Sequence, residues 1–305
     1  MRVTIAICTW NRSASLRRTL RRMMDLDVPA GLAWEILVVN NACSDDTDAV
    51  IAEFGGMLPV RRAWEPEPGL ANARNRAVRD AFGDYLIWTD DDVLVDSAWL
   101  AAYCRAFERW PGASVFGGPI EPVFEEGPPP WIPPVLDLIG AAFGMQTFGS
   151  EPVRLTPDTA KMGPFGGNMA MRREDLLRFP FDPALGVRHS RYSIGEESTV
   201  IGAMLASGRE GWWTPEARVQ HRVSAEQQTL AHIRRWMVSA GRYEEAARDR
   251  GTNGSGSIRL QARMLRHEAR FHLFRRVAPP EVWMRDLVRS SHLRGRVEAM
   301  RAKRS

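Results

Sequence analysis

Cysteine is scarce in this chain. There are three in 305 residues, Cys8, Cys43 and Cys104, odd in number and widely spaced. That excludes a disulfide framework and, for want of clustered ligands, a cysteine zinc site. Each is expected to act as a small, mostly buried hydrophobe in a reducing compartment. Long hydrophobic runs are missing too: nothing approaches the roughly 18 to 20 apolar residues that span a bilayer. Arg2 is followed by a short alternating segment, without the apolar core of about 7 to 15 residues and the cleavage site of a secretion signal. A cytoplasmic location is the expectation. No internal repeat is present. The dinucleotide fingerprint G-x-G-x-x-G is missing after the first strand, where Thr9-Trp10-Asn11-Arg12 stands instead.

What is there is an ordinary globular composition, 44% hydrophobic and 26% charged, enough for one large domain plus an appendage. The net charge of +4 conceals an asymmetry. Residues 222–305 hold 19 Lys or Arg against 8 Asp or Glu, and the rest of the chain 22 against 29. A basic end on an acidic body predicts an anionic partner for that end.

Val3, Ile5 and Ile7 alternate with Thr4, Ala6 and Cys8, as in a strand. Asn11-Arg12-Ser13 reads as a helix cap, with Leu16, Leu20 and Met23 following at helical spacing. The pattern repeats: a strand over 35–39, a cap at 44–47 and a helix, a strand over 60–64, a helix over 70–82 and a fourth strand over 85–89. Such alternation predicts an α/β fold, a mostly parallel central sheet flanked by helices. Regularity fades after about residue 110. The run 127–134 (GPPPWIPP) suits neither helix nor central strand, and 121–165 reads as a long, partly irregular insertion of the kind that covers sites. A strand over 168–172 and a helix over 196–207 follow. From Leu230 the chain reads as helical and basic, interrupted by the flexible run 251–257 (GTNGSGS). The expected division is a domain over 1–225 and a basic helical region over 226–305.

Asp90-Asp91-Asp92 follows the apolar run Tyr85-Leu86-Ile87-Trp88, at the C-terminal end of a strand, where open α/β sheets place their ligands. Three adjacent carboxylates repel one another, and a divalent cation relieves the conflict. Oxygen ligands suit Mg2+ or Mn2+, which bridge one or two carboxylates to substrate phosphates. Strand alternation would point Asp90 and Asp92 to one side and Asp91 to the other. The alternative is a solvated acidic turn.

Five ordered segments resemble the family 2 glycosyltransferases, whose catalytic domains have the GT-A fold. They are Ile7-Cys8-Thr9-Trp10-Asn11-Arg12; Val38-Val39-Asn40-Asn41 running on to Ser44-Asp45-Asp46-Thr47; Gly69 to Asn75, with Ala73-Arg74-Asn75; the Asp triplet, like the family's D-x-D; and Gly166-Gly167-Asn168-Met169-Ala170 with Gly195-Glu196-Glu197, like its acceptor-side strand and E-D base motif. The resemblance covers residues 3–205. It implies an inverting transfer of a sugar from a nucleotide-diphosphate donor, with UDP-sugars favoured, to an acceptor hydroxyl on a saccharide or lipid-linked saccharide, in cell-surface polysaccharide or glycolipid synthesis.

By the same resemblance Thr9, Asn11, Arg12, Asn40 and Asp45 line the nucleotide pocket, with Gly167 and Asn168 on the sugar side. Arg12 brings positive charge to the phosphates. Asn40 stands where many members have Asp, and Asp45 either meets the base or caps its helix. Arg74 and Asn75 lie near the metal carboxylates, or on an exposed helix face, and Asp90 and Asp91 also belong to the nucleotide-sugar site. Asp90 and Asp92 are the metal ligands, and His221 meets the metal or the diphosphate unless that histidine is structural. Glu197, or Glu196, is the catalytic base, though acids at a helix start are also favoured by its dipole. Trp131, Trp212 and Trp213 either stack on a sugar or pack in the core.

In residues 259–276 Leu260, Met264, Phe271 and Phe274 form a helical stripe among arginines. This suits either an anionic membrane surface or packing on the catalytic domain. No nucleic-acid recognition motif accompanies the charge. The competing readings are another nucleotide-binding α/β enzyme, such as a nucleotidyltransferase, and an inactive binding protein of the same fold.

Overall fold

The computed structural model describes residues 1–188, 193–248 and 254–302. These fall into two units. The first comprises Met1–Val123, the segment from Gly144, and Glu196–Arg222; the second comprises Phe124–Phe143 and the chain from Val223 onward.

The first unit opens with the alternation read from the sequence: β1 (Arg2–Thr9), α1 (Ser13–Met23), β2 (Ala33–Asn40), α2 (Thr47–Phe54), β3 (Val60–Trp64), α3 (Leu70–Asp80) and β4 (Tyr85–Asp90). A short β5 (Val93–Val95), α4 (Trp99–Arg109), β6 (Ala113–Gly117) and β7 (Ile120–Phe124) follow. After α5 (Leu136–Ile139) come β8 (Met169–Arg172), α6 (Arg173–Arg178), α7 (Glu196–Ala206), β9 (Glu210–Trp213) and β10 (Val219–Val223). Among the described residues, the main sheet has the order β3-β2-β1-β4-β8-β6-β9. The pairs β1–β2, β1–β4, β2–β3 and β6–β9 are parallel. The exception is β8, antiparallel to both neighbours. It is reached through the 121–165 segment rather than a single crossover helix, and so enters the sheet from the opposite end. Its first residues therefore lie beside the last residues of β4, where Met169 pairs with Trp88.

Both faces of the sheet are buried, and side-chain alternation divides each strand between two cores. Val3, Ile5, Ile7, Tyr85 and Ile87 face Leu16, Leu20, Phe54 and Trp99. Ala6, Leu37, Val39, Leu86 and Trp88 face Ala73, Ala77, Ile201 and Met204. A three-stranded sheet, β5-β10-β7, stands apart, with β10 antiparallel to β5 so that His221 pairs with Val93. The start of α1 is not capped by its own Asn11-Arg12-Ser13 turn: the Ser13 amide donates to Asp45 Oδ2 at 2.8 Å, from the loop before α2.

The second unit is built from α8 (Leu230–Ala247), α9 (Gly254–Phe274) and α10 (Pro280–Ala302), with Phe124–Phe143 folded into it. The 121–165 insertion is thus only partly irregular. Ile132, Val135, Ile139 and Phe143 share a core with Ile233, Met237, Phe271, Trp283 and Leu287. Prolines flank this segment, and its apolar residues bury as short helical turns. Helices α8 and α10 touch backbone to backbone: a Cβ on Gly241 would sit 2.0 Å from the His292 carbonyl, and one on Gly295 1.9 Å from that of Val238. The stripe Leu260, Met264, Phe271 and Phe274 packs inside this unit. The run 251–257 lies partly outside the described residues, and α9 already begins at Gly254.

Asn168, just ahead of β8, is fully buried. Its Oδ1 accepts from Trp99 Nε1 and Tyr103 Oη, each at 2.8 Å, and its Nδ2 donates to the carbonyls of Pro119 (2.9 Å) and Ala217 (2.7 Å). Every bond an amide can make is used. Asn168→Ala is expected to cost roughly 2 to 4 kcal/mol in urea unfolding, because four buried partners lose their mate.

Candidate active site

Five carboxyl groups, at the end of β4 and the start of α7, meet two arginines, Arg12 from the turn before α1 and Arg74 from α3. Strand β4 ends at Asp90, so strand alternation does not carry through the triplet. Asp91 and Asp92 turn together instead of facing opposite ways. Asp91 accepts from Thr9 Oγ1 at 2.6 Å and from Arg12 Nη1 at 2.7 Å, and Asp92 accepts from Arg12 Nη2 at 2.8 Å. Thr19 Oγ1 fixes the turn by donating to the Asp91 and Val93 carbonyls. His221 Nε2 lies 3.5 Å from Asp92 Oδ2, delivered by the β10–β5 pairing. Asp90 is different. Among the described residues its carboxylate takes up no side-chain hydrogen bond and no ion pair.

The electrostatics follow from this layout. Burial raises Asp90, the charge of Asp92 raises it further, and Arg74, His221 and Arg12 only partly oppose them. Burial also pushes Asp91 up, to about 7, against the pull of Arg12. Burial would raise Asp92 as well, but His221 and Arg12 hold it well below the usual carboxylate range.

The second cluster centres on Arg74, which is 3% exposed. It is not an exposed helix residue, and its hydrogen bond goes to α7 rather than to the triplet. Nη1 donates to Glu196 Oε1 at 2.8 Å and lies 3.7 Å from Glu197 Oε2. The guanidinium sits against the rings of Trp88 and Phe181, 6.0 and 5.5 Å from their centroids. Gly166 and Gly167 separate the clusters. A Cβ on Gly166 would be 1.8 Å from Arg74 Nη2, and one on Gly167 3.2 Å from Asp90 Oδ2. A side chain at Gly166 would displace the guanidinium, and one at Gly167 would crowd the Asp90 carboxylate. Glu196 is buried, and its carboxyl is raised to about 8 by burial and by Glu197, against Arg74. Glu197 Oε2 is buried and accepts no hydrogen bond.

The family profile described as Glycosyl transferase family 2 matches residues 4–178. The chain belongs to glycosyl transferase family 2. It is 25% identical over 134 residues to the succinoglycan biosynthesis protein ExoM of Rhizobium meliloti (strain 1021), covering 43% of each chain. It is 27% identical over 95 residues to the poly-beta-1,6-N-acetyl-D-glucosamine synthase of Staphylococcus epidermidis, covering 31% of this chain and 22% of the synthase. The matched stretch thus spans less than half of either relative. The fold is that of the mannosyltransferase PcManGT from Pyrobaculum calidifontis, solved with GDP-Man and Mn2+: TM-score 0.56, 18% identity, 99% of this chain and 74% of that one. It is equally that of S. aureus TarS 1-349 with UDP-GlcNAc: TM-score 0.57, 14% identity, 100% and 92%.

Against this family frame, the residues expected in the nucleotide pocket separate into groups. Thr9 and Arg12 gather on the triplet. Arg12, expected to face phosphates, spends both terminal nitrogens on Asp91 and Asp92, the nearest anions. Asn11 and Asp45 knit the two loops together. Asn11 Oδ1 accepts from the Ser44 amide at 2.7 Å, and Asp45 accepts from the Ser13 and Thr47 amides. The amide of Asn40 is occupied by Asp48 (2.6 Å) and the Cys43 N–H (2.8 Å). Asn75 does not approach the carboxylates: its side chain pairs with both backbone groups of Phe181, at 2.8 and 2.9 Å. Asn168, expected on the sugar side, has no hydrogen-bonding capacity left for a ligand. None of the three tryptophans is positioned as a free stacking platform. Trp213 is fully buried, Trp212 stacks on Trp110 at 4.6 Å, and Trp131 packs near Trp283.

Gly166 and Asn41 stand in the motif segments, but their contacts do not show in the sequence: no spacing reveals the approach of Gly166 to Arg74, and Asn41 is buried and braces the start of α3 by accepting from the Gly69 amide at 2.8 Å. Sequence reasoning missed Asp48 as the partner of Asn40.

Glu196 carries a pH signature. An acid raised in the folded state keeps its proton after the unfolded chain has lost it. The stability it lends is complete below about pH 4.5 and is lost as pH rises through about 8. Glu196→Gln, which cannot titrate, is expected to flatten the fall in unfolding free energy between about pH 5 and 8. Denaturant titrations at several pH values measure it; an unchanged slope assigns the fall to other groups.

Proposed function

We propose that this protein is a metal-dependent, inverting glycosyltransferase that moves a sugar from a nucleotide-diphosphate donor, a UDP-sugar, to an acceptor hydroxyl on a cell-surface saccharide or its lipid-linked precursor. The observation that carries the reading is the charge imbalance at the sheet edge: Arg12 and Arg74 meet four carboxyl groups and leave Asp90 unpartnered. A buried surplus of negative charge calls for a cation, and a cation at a sheet edge calls for an anionic substrate. Two proteins of the same fold hold a nucleotide-diphosphate sugar, UDP-GlcNAc in one and GDP-Man with Mn2+ in the other, which supports the donor class. The polysaccharide names of the sequence relatives support the acceptor class.

Among the described residues no three His, Cys, Asp or Glu side chains form a ready-made metal cage. The donor set still fits Mg2+ or Mn2+, which take one or two carboxylates and complete their shell with substrate phosphates and water. Asp90, with no competing hydrogen bond, and Asp92, beside His221, would hold the ion. When bound, it supplies Lewis-acid neutralisation of the departing diphosphate.

The chain's own residues do the rest. Arg12, bridging Asp91 and Asp92, fixes the turn that presents the metal carboxylates, and its half-exposed side chain brings positive charge to the donor side. Thr9 positions Asp91 from β1. Glu197 Oε2 takes the proton of the attacking hydroxyl; it is buried, accepts no hydrogen bond and stands at the start of a helix, whose dipole favours negative charge there. A single displacement of this kind inverts the anomeric centre. A proton retained on Glu196 leaves the charge of Arg74 for Glu197.

Two measurements test the assignment. Calorimetric binding of UDP or a UDP-sugar is expected to need Mn2+ or Mg2+ and to weaken at least about tenfold in chelator or in Asp92→Ala; equal affinity under all three conditions removes the metal role. Glu197→Gln is expected to bind donor normally yet lose about 10²- to 10⁴-fold in transfer rate, the span of general-base catalysis. Full activity in that variant moves the base elsewhere.

A further inference from the structure

The second unit presents a surface that the active site does not explain. Helix α9 buries Leu260 and Phe271 against its neighbours, which absorbs the apolar stripe legible in the sequence. A second stripe runs along the opposite face. Ile258, Leu265 and Leu273 are 69%, 62% and 66% exposed, with exposed Ala262 and Ala269 between them. Their spacings of four, three, four and four residues hold them on one side of a helix. Val277, in the turn that follows, is 79% exposed. Single exposed leucines are ordinary, but a continuous row on one helix face is not.

The charge beside this row is of one sign. Arg259, Arg263 and Arg266 are exposed and make no ion pair among the described residues. The one acid of α9, Glu268, is already held by Arg234 at 2.8 and 3.0 Å. No helix among the described residues is long and apolar enough to cross a membrane. An apolar row flanked by unpaired arginines is the pattern of a helix lying in a bilayer interface, where arginine stems cover apolar surface and guanidinium groups reach lipid phosphates.

We infer that the exposed face of α9 docks on an anionic membrane surface, with Ile258, Leu265 and Leu273 entering the headgroup–acyl boundary and Arg259, Arg263 and Arg266 pairing with lipid phosphates. The occupant is a lipid surface rather than a second copy of this chain, because two copies face to face would bring these arginines together without an acid to meet them. The inference stands on the second unit alone and does not depend on the chemistry assigned to the first. It would hold the chain at the surface where lipid-linked acceptors reside.

Flotation of the full chain with vesicles tests it, using phosphatidylcholine alone or phosphatidylcholine with about one-third phosphatidylglycerol. The protein is expected to float with the anionic vesicles and not with the neutral ones, less so at high salt. Leu265→Asp with Leu273→Asp, and separately Arg259→Glu with Arg266→Glu, are expected to weaken anionic-vesicle binding about tenfold or more. All four side chains are exposed, so both variants should keep the wild-type melting temperature and nucleotide affinity. Failure of the wild-type protein to float on anionic vesicles overturns the inference, as does wild-type flotation by both variants. Light scattering that shows a dimer dissolved by the leucine variant, with no lipid dependence, gives the face to a second copy and overturns it too. Loss of flotation with intact nucleotide binding separates this surface from the active site; loss of both in a variant with a lowered melting temperature marks that variant as misfolded, and the other variant then decides.

Discussion

Repulsion among carboxylates is the constraint around which the first unit is arranged. Asp90, Asp91, Asp92, Glu196 and Glu197 come together from two distant stretches of chain, and Arg12 and Arg74 are what the fold sets against them. The two arginines differ in kind. Arg12 is half-exposed and pairs with two acids of one turn; Arg74 is buried, held by Trp88 and Phe181 as well as by the glutamates. Arg74 is therefore part of the framework, and Arg12 is the member of the two that solvent reaches. Removing a partner from a buried ion pair leaves an uncompensated charge and is costly, so the glutamates and Arg74 stand or fall together.

Topology brings these charges to one edge. In a wholly parallel sheet the C-terminal ends of the strands would all carry loops leading away to helices. Because β8 runs against its neighbours, its N-terminal end arrives beside the C-terminal end of β4, and the Gly166-Gly167 pair is laid between Asp90 and Arg74. Asn168 then locks that approach through four buried hydrogen bonds to α4 and to the Pro119 and Ala217 carbonyls. The antiparallel β10–β5 pair does the same for His221, setting it against Asp92. Each reversed strand adds a functional group that the alternating β-α units alone would not deliver.

The regular part of this arrangement was legible in the sequence. Strand and helix periods located β1 to β4 and α1 to α3 within a residue or two, because burial on both sheet faces leaves a strong pattern. The motif segments also gather at one edge of the sheet. What the sequence did not disclose was how each polar side chain is spent. Asn75, Asn168 and Asn40 occupy motif positions, yet their amides are consumed by Phe181, by Trp99 and Tyr103, and by Asp48, partners between 8 and 106 positions away. Hydrogen-bond saturation is a tertiary property and leaves no period. The C-terminal region failed differently: α9 carries two apolar rows, and the one that stood out by spacing is the one its own unit buries.

Two adjacent glutamates at the start of α7 suggest redundancy, but their environments divide the work. Glu196 is the deeper of the two and accepts the 2.8 Å hydrogen bond from Arg74; Glu197 stands 3.7 Å from the same nitrogen, its outer oxygen accepting nothing. Burial and the neighbouring Glu197 outweigh that hydrogen bond and raise Glu196 to about 8, so Glu196 is the member that keeps its proton. Arg74 thus orients both glutamates from one nitrogen, while only Glu196 accepts a hydrogen bond from it. Gly166 leaves room for the guanidinium that meets both acids: a Cβ there would sit 1.8 Å from Arg74 Nη2.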